Sequence, residues 1–452
     1  MRDYKKLAAP YYEEAVKKLG TFVNIDSVYD EATVSEKDPY GKGVTNALEF
    51  ISDLAKKDGF TVKNINNRVI EISIGNINKN NVAIFAHADV VPATGNWISP
   101  PFKATIRDDY MYGRGTSDDK GPVIASYYAL KLLRDHNLIT NYSVRLVVGG
   151  DEERGSSCMN YYFNDYAAPH PKAGFTPDAI FPLIYAEKGI VNYVTKKQFA
   201  IKHLYKLEGG EAANSVIDKV TATLDKDLDF LTYLNEKAVN YEYETAGDKI
   251  KLTVYGLSSH GSYPEKGENA AITFLTHFSA FYDDEELTKI SYYYSDVNGR
   301  NLNAYANTKL VGETTFNVGL ISYDGNELSL TVNFRFPETI DTKIALRDIK
   351  ELTGMSLKCD RVSPVLLFDP ESDFIQTLMS AYQDETGDLT SKPLAIGGGT
   401  YAKECPNTVA FGSSFPERRG DIHAPNEYIA LEDLKIQISM YARAIYYLGT
   451  KL

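Results

Sequence analysis

His87 and Asp89 stand two residues apart at the end of an unbroken apolar run, Val82-Ala-Ile-Phe-Ala86. An imidazole beside a carboxylate can bind a metal ion or move a proton. More groups of the same kind follow along the chain. Asp118 and Asp119 lie in Gly113-Arg-Gly-Thr-Ser-Asp-Asp-Lys-Gly121, and Asp151-Glu152-Glu153 follows Gly149-Gly150. Asp178 closes Gly174-Phe-Thr-Pro-Asp, and His423 opens His-Ala-Pro-Asn-Glu427. Imidazole and carboxylate donors without thiolate suit zinc, and also cobalt or manganese. Two such ions about 3.5–4 Å apart need a bridging carboxylate, and each needs its own histidine and acid. The chain holds that inventory.

The run Val82–Ala86 reads as a strand buried on both faces, of the kind found inside a parallel sheet. Residues i and i+2 of a strand share a face, so His87 and Asp89 emerge together at the sheet end, where open α/β sheets carry their ligand sites. Helical stripes precede it at Ala15, Val16, Leu19 and Val23, and at Ala47, Phe50, Ile51 and Leu54 before Gly59. Val69–Ile74 alternates as a strand. The glycine-rich stretch 111–122 runs into an apolar helix over Val123–Leu133. The strand Ser143–Val148 ends on the Asp151–Glu153 acids, and Ile180–Tyr185 is again apolar. This grammar predicts an α/β fold, a mixed, mostly parallel sheet flanked by helices.

From about residue 190 the pattern changes. Val220–Thr223, Ile250–Tyr255 and Thr314–Phe336 alternate as strands, the last with a hairpin turn at Asp324-Gly-Asn326. Helical patterns cover Asn269–Tyr282 and Lys343–Leu352. After Pro370 come a helix around Phe374–Tyr382, the run Gly397-Gly398-Gly399, a short strand at 408–411 and a last helix from Leu431 to Leu448. The expected division is a catalytic domain in two pieces, 1–189 and 369–452, with an α+β lid domain, 190–368, inserted between them.

The chain has 452 residues, 48 basic against 61 acidic, for a formal charge of −13. That balance argues against nucleic acid or an anionic membrane as partner, because phosphate binding draws on Lys and Arg. The three cysteines are widely spaced and form no paired framework, which fits a reducing compartment. The N-terminal stretch has no apolar signal-peptide core, and no apolar run approaches the roughly 20 residues of a membrane span. A cytoplasmic protein is expected.

Five motifs occur in order: His87-Ala-Asp-Val-Val-Pro, Gly113-Arg-Gly-Thr-Ser-Asp118-Asp-Lys-Gly, Asp151-Glu-Glu, Gly174-Phe-Thr-Pro-Asp178 and His423-Ala-Pro-Asn-Glu. Together they resemble the ArgE/DapE/aminoacylase/carboxypeptidase G superfamily of dinuclear zinc exopeptidases. Thr116-Ser-Asp-Asp-Lys-Gly-Pro122, Glu187-Lys-Gly-Ile190 and Ile396-Gly-Gly-Gly-Thr-Tyr-Ala402 look most like its PepV-like dipeptidase branch. The resemblance implies two Zn2+ ions, for which Co2+ or Mn2+ could substitute. It assigns His87 and Asp178 to one ion, Glu153 and His423 to the other, and Asp118 to both. Asp89 would orient the His87 ring, and Glu152 would be the general base. A cis peptide after Asp118 is implied as well. In the insert, Gly209-Gly-Glu-Ala-Ala-Asn214-Ser-Val, Ser258-Ser-His260-Gly-Ser and Asn333-Phe-Arg335-Phe-Pro resemble the lid motifs of that branch. His260 would stabilise an oxyanion, and Arg335 would grip the substrate carboxylate with help from the backbone at Gly397, Gly398 and Gly399. Asn214 would orient the substrate.

The leading expectation is therefore a metallodipeptidase, acting as a monomer on dipeptides with a free N-terminus under a lid that closes over short substrates. An N-acyl amino acid deacylase would use the same centre and differ only in what the lid offers the substrate's amino end. A non-catalytic metal- or peptide-binding protein is the reading from another class, and the intact set of candidate ligands counts against it.

Overall fold

The computed structural model of the protein describes residues 2–77 and 80–452. The chain forms two compact units. One comprises Met1–Ala186, Leu367–Ala395 and Gly399–Leu452, the other Glu187–Leu366 with Ile396–Gly398.

The first unit is built on the strand Asn81–His87, every residue of which is buried. It lies between Ser143–Gly149 and Ala173–Thr176 and runs parallel to both. Thr408–Ala410 extends the parallel part beyond Ala173–Thr176. On the other side Val69–Ile74 and then Thr61–Ile65 add antiparallel strands. The sheet is thus mixed with a parallel centre, and the centre is apolar on both faces because helices cover it. Lys120–Asp135 and Leu431–Lys451 pack against each other and bury most of their length. Their exposed residues are few because each helix meets both the sheet and its neighbour.

Register decides what leaves the end of this sheet. His87 pairs level with Gly149, and the Ala88 N–H donates to the Gly149 carbonyl at 2.9 Å. The chain segments carrying Asp89 and Asp151–Glu153 therefore leave the sheet side by side. Two local expectations change. The helix expected from Val123 begins at Lys120, directly after the second aspartate of the glycine-rich motif. The apolar stretch Ile180–Tyr185 is not one strand: Ala179–Ile180 and Ile184–Glu187 are separate, and Pro182 between them has no N–H to give a ladder.

The second unit is an antiparallel sheet whose helices are interspersed among its strands along the chain. The strands run Tyr241–Ala246, Lys249–Tyr255, Lys219–Asp225, Leu204–Gly209, Thr315–Tyr323, Glu327–Phe336, Gly189–Gln198 and Ser356–Ser363 across the sheet. The turn at Asp324 forms as its composition predicts, with the Asp324 carboxylate accepting from the N–H groups of Asn326 and Glu327. Helix Ala270–Tyr282 starts at Asn269, whose side chain accepts from the Ala271 and Ile272 N–H groups. Phe230, Phe274, Phe278, Leu330 and Val332 share the core of this unit. No helix among the described residues is long and apolar enough to cross a membrane.

Candidate metal centre

His87 ends its strand fully buried, with Nε2 3.0 Å from Asp118 Oδ1 and 3.8 Å from Asp178 Oδ2. His423 Nε2 lies 3.0 Å from Asp118 Oδ2 and 3.3 Å from Glu153 Oε1. The two oxygens of one carboxylate thus face two different imidazoles, each of which has a further acid beside it. Ligand atoms of His87, Asp118 and Glu153 fall within 4.8 Å of one another, and so do those of His87, Glu152 and Asp178. Six residues from five distant segments converge on one place.

The surroundings fix these groups from behind. His87 Nδ1 lies 3.0 Å from the Asp89 carbonyl oxygen and 3.4 Å from its carboxylate, so the nearer partner of the ring is backbone. The Asp89 carboxylate accepts from the N–H groups of Glu152 and Glu153, both at 3.1 Å. Asp89 therefore ties the two acids to the histidine. Asp119 belongs to neither ligand group and accepts the His87 backbone N–H at 3.0 Å. The peptide between Asp118 and Asp119 is cis. His423 holds φ +61°, a left-handed backbone unusual for a residue with a Cβ.

One residue of the centre carried no expected role. Glu427, fully buried, accepts from Arg114 and from the Gly115 N–H at 2.9 Å each on one oxygen. Its other oxygen accepts the Ser117 N–H at 2.9 Å and the Asp118 N–H at 3.1 Å. It stood in the His423 motif, and its place in that motif was the available signal.

Charge decides whether cations fit here. Four carboxylates and two imidazoles crowd together, with His87 and Asp118 buried, the other three acids partly buried and His423 on the exposed side, an excess of negative groups. Burial, then the charges of Asp118 and Glu153 as they outweigh the imidazoles, raises the Asp178 carboxyl to about 7. Burial and the charge of Asp178 hold Glu152 well above the ordinary carboxyl range. Burial disfavours charge on His423, but hydrogen bonds to Asp118 and Glu153 outweigh it and raise the imidazole to about 11. For His87, burial is likewise outweighed by Asp118 and Asp89, and its value rises well above the usual one. Protons are held where a cation would remove the repulsion. The donor set fits a zinc-type centre.

A second cluster lies within the other unit. Arg335 is buried, with Nε donating to Asn333 Oδ1 at 2.8 Å and one terminal nitrogen to Ser262 Oγ at 2.6 Å and the Gly397 carbonyl at 2.5 Å. Among the described residues no carboxylate pairs with it, and burial lowers its guanidinium to about 10. His260 Nδ1 faces Ser262 Oγ at 2.7 Å. Gly397 and Gly398 belong to this unit and Gly399 to the other. Gly397 meets Arg335 through its carbonyl rather than its N–H.

The sequence matches the profile of peptidase family M20/M25/M40 over residues 83–447. The chain belongs to this family. A chain of Staphylococcus aureus (strain USA300) that bears the name of a dipeptidase is 33% identical over 98% of both chains. Among solved structures, human carnosine dipeptidase 1 aligns over 99% of this chain and 98% of its own with a TM-score of 0.61 at 14% identity. An M20 metallo-carboxypeptidase of Sulfolobus solfataricus aligns over 96% of this chain and 99% of its own, also at 0.61, with 17% identity. These likenesses carry the two-domain α/β fold. Membership makes the chain a metallopeptidase, a hydrolase of peptide bonds, and the His/Asp/Glu cluster is where its metal can be held.

Proposed function

We propose that the protein is a metal-dependent dipeptidase with two cations, zinc by choice of donors, cobalt or manganese as substitutes. The observation that carries this reading is the Asp118 carboxylate set between His87 and His423, with one oxygen toward each. His87 and Asp178 would hold one ion, His423 and Glu153 the other, and Asp118 both. When bound, the ions polarise the scissile carbonyl and lower the pKa of the attacking water.

This chain's own residues do the rest. Glu152 takes the proton of the attacking water and passes it to the leaving amine, a role suited to a carboxyl whose proton affinity is raised by burial and by the charge of Asp178. Asp89 keeps Glu152 and Glu153 in place through their N–H groups. Arg335 binds the dipeptide's C-terminal carboxylate, which would supply the counter-charge its buried guanidinium otherwise goes without. His260 stabilises the oxyanion and Asn214 orients the substrate. The three cysteines are unpaired, which supports a cytoplasmic location. The likeness of the long insert to that of monomeric dipeptidases supports a monomer.

Turnover of a dipeptide panel, with metal content measured on the same sample, tests this. Dialysis against chelator should abolish release of amino acids and zinc should restore it. Glu152→Ala should abolish turnover with metal retained. Undiminished turnover in that variant would sink the mechanism, and faster cleavage of N-acetylated than of free dipeptides would turn the reading to a deacylase.

A further inference from the structure

Asn317 lies buried on the strand Thr315–Tyr323 of the second unit. Its Nδ2 donates to the carbonyl oxygens of Ala213 at 2.9 Å and Ser215 at 2.8 Å, the residues on either side of Asn214. Both acceptors are carbonyls, so the amide nitrogen must face them; the flipped amide would set oxygen against oxygen. Two residues on, the strand makes room for the same loop. A Cβ at Gly319 would stand 2.3 Å from the Ala213 oxygen and 2.5 Å from that of Ala212. Pairing with Glu327–Phe336 shifts register between Val318 and Leu320, leaving Gly319 as the extra residue of a bulge.

The Asn214 loop is joined in turn to the loop that carries His260. The Gly261 N–H donates to the Asn214 carbonyl at 2.7 Å, and the Val216 N–H to the Ser259 carbonyl at 2.9 Å. Ser215 and His260 form an antiparallel bridge. Two loops with proposed substrate contacts are thus one clasp, and Asn317 and Gly319 fasten that clasp to a rigid sheet.

We propose that Asn317 is a positioning residue for the peptidase reaction: it acts through Asn214, holding the loop on both sides of that residue so that its side chain meets the substrate in one orientation. A loop residue can be placed to the fraction of an ångström that catalysis needs only when its backbone is held. The inference rests on the reading that Asn214 contacts the substrate.

A double-mutant cycle tests it. Asn317→Asp keeps the volume but turns carboxylate oxygens on the two carbonyls. In the otherwise unchanged enzyme it should lower kcat/KM for a dipeptide by about tenfold or more, with metal content unchanged. In an Asn214→Ala background the same substitution should cost less than about twofold, because its route to the substrate is already gone. Gly319→Ala, which pushes the loop off the strand, should show the same pattern and serves as the second variant should Asn317→Asp not fold. Equal losses in both backgrounds, or a lowered Tm with kcat/KM unchanged, would overturn the proposal and leave Asn317 a structural brace. An Asn214→Ala enzyme with full activity would instead refute the role of Asn214 itself, and the positioning role would fall with it.

Discussion

The Asp118 N–H donates to Glu427 Oε1 at 3.1 Å, linking two positions 309 residues apart in the chain. Glu427 follows His423 within one short loop, and Asp118 is the carboxylate that faces His423. The loop that carries one candidate ligand is therefore clamped by an acid from the loop that carries another. Arg114, itself almost fully buried, completes the clamp by pairing with the same carboxylate at 2.9 Å.

Glu427→Gln should loosen this arrangement without touching any ligand atom. An amide cannot accept on both ends, so at least one of the Gly115, Ser117 and Asp118 N–H groups loses its partner, and Arg114 is left buried without its counter-charge. Breaking such a pair costs about 3–5 kcal/mol. Metal affinity, measured by competition with a chelator, should fall about 10–100-fold. An affinity equal to that of the unmodified protein would show that the clamp does not set the ligand geometry.

Asp89→Ala removes the acceptor shared by the Glu152 and Glu153 N–H groups and the carboxylate nearest His87 Nδ1. Both a proposed ligand and the proposed base lose their anchor. Turnover should drop about 10–100-fold, with a parallel fall in metal affinity. If affinity falls and turnover at saturating metal does not, Asp89 serves the ligands and not Glu152.

Arg335→Met tests the substrate end. A hydrogen bond to a charged group contributes about 1.5–3 kcal/mol, so kcat/KM for a dipeptide should fall about 10–100-fold. The corresponding dipeptide amide, which offers no carboxylate, should be affected far less. Equal losses for acid and amide would mean that Arg335 works by bracing Ser262 and the Gly397 carbonyl.

Much of the first unit was legible because its signals are local. An apolar run ending on His87, a β-branched run ending before Asp151 and glycine-rich turns each declare themselves within ten residues, and the structure brings His87, Asp118, Glu152, Glu153, Asp178 and His423 together. What was missed depends on contacts far apart in sequence. Glu427 is one buried acid among many acids until Arg114 and three N–H groups are seen around it. Asn317 is a polar residue inside a strand, and nothing near it in sequence says that its amide grips the Asn214 loop. Tyr241–Ala246 is an edge strand with most residues exposed, so it lacks the apolar alternation that marks a half-buried strand. The helix Glu285–Ser295 hid behind its run of tyrosines, one of which, Tyr294, turns into the core.

The charge pattern of the centre fixes the sign of a pH effect. His423 is raised from 6.5 to about 11 and Asp178 from 3.8 to about 7 in the folded chain without metal. Both groups hold protons more tightly when folded, so the folded state binds more protons and stability falls as pH rises. The stabilising His423 charge is fully present below 6.5 and is lost as pH climbs toward 11. The Asp178 carboxyl, neutral at low pH, becomes a burden between 3.8 and 7. The Tm of the metal-free protein should therefore fall between about pH 5 and pH 8, an interval inside the range from 3.8 to about 11 that the two shifts together span. Metal ions compete with the same protons, so the rise in Tm on adding zinc should grow across that window. A metal-free Tm that rises from pH 5 to pH 8, or a zinc-dependent gain larger at the acid end, would mean that these groups do not carry the charge their surroundings assign them.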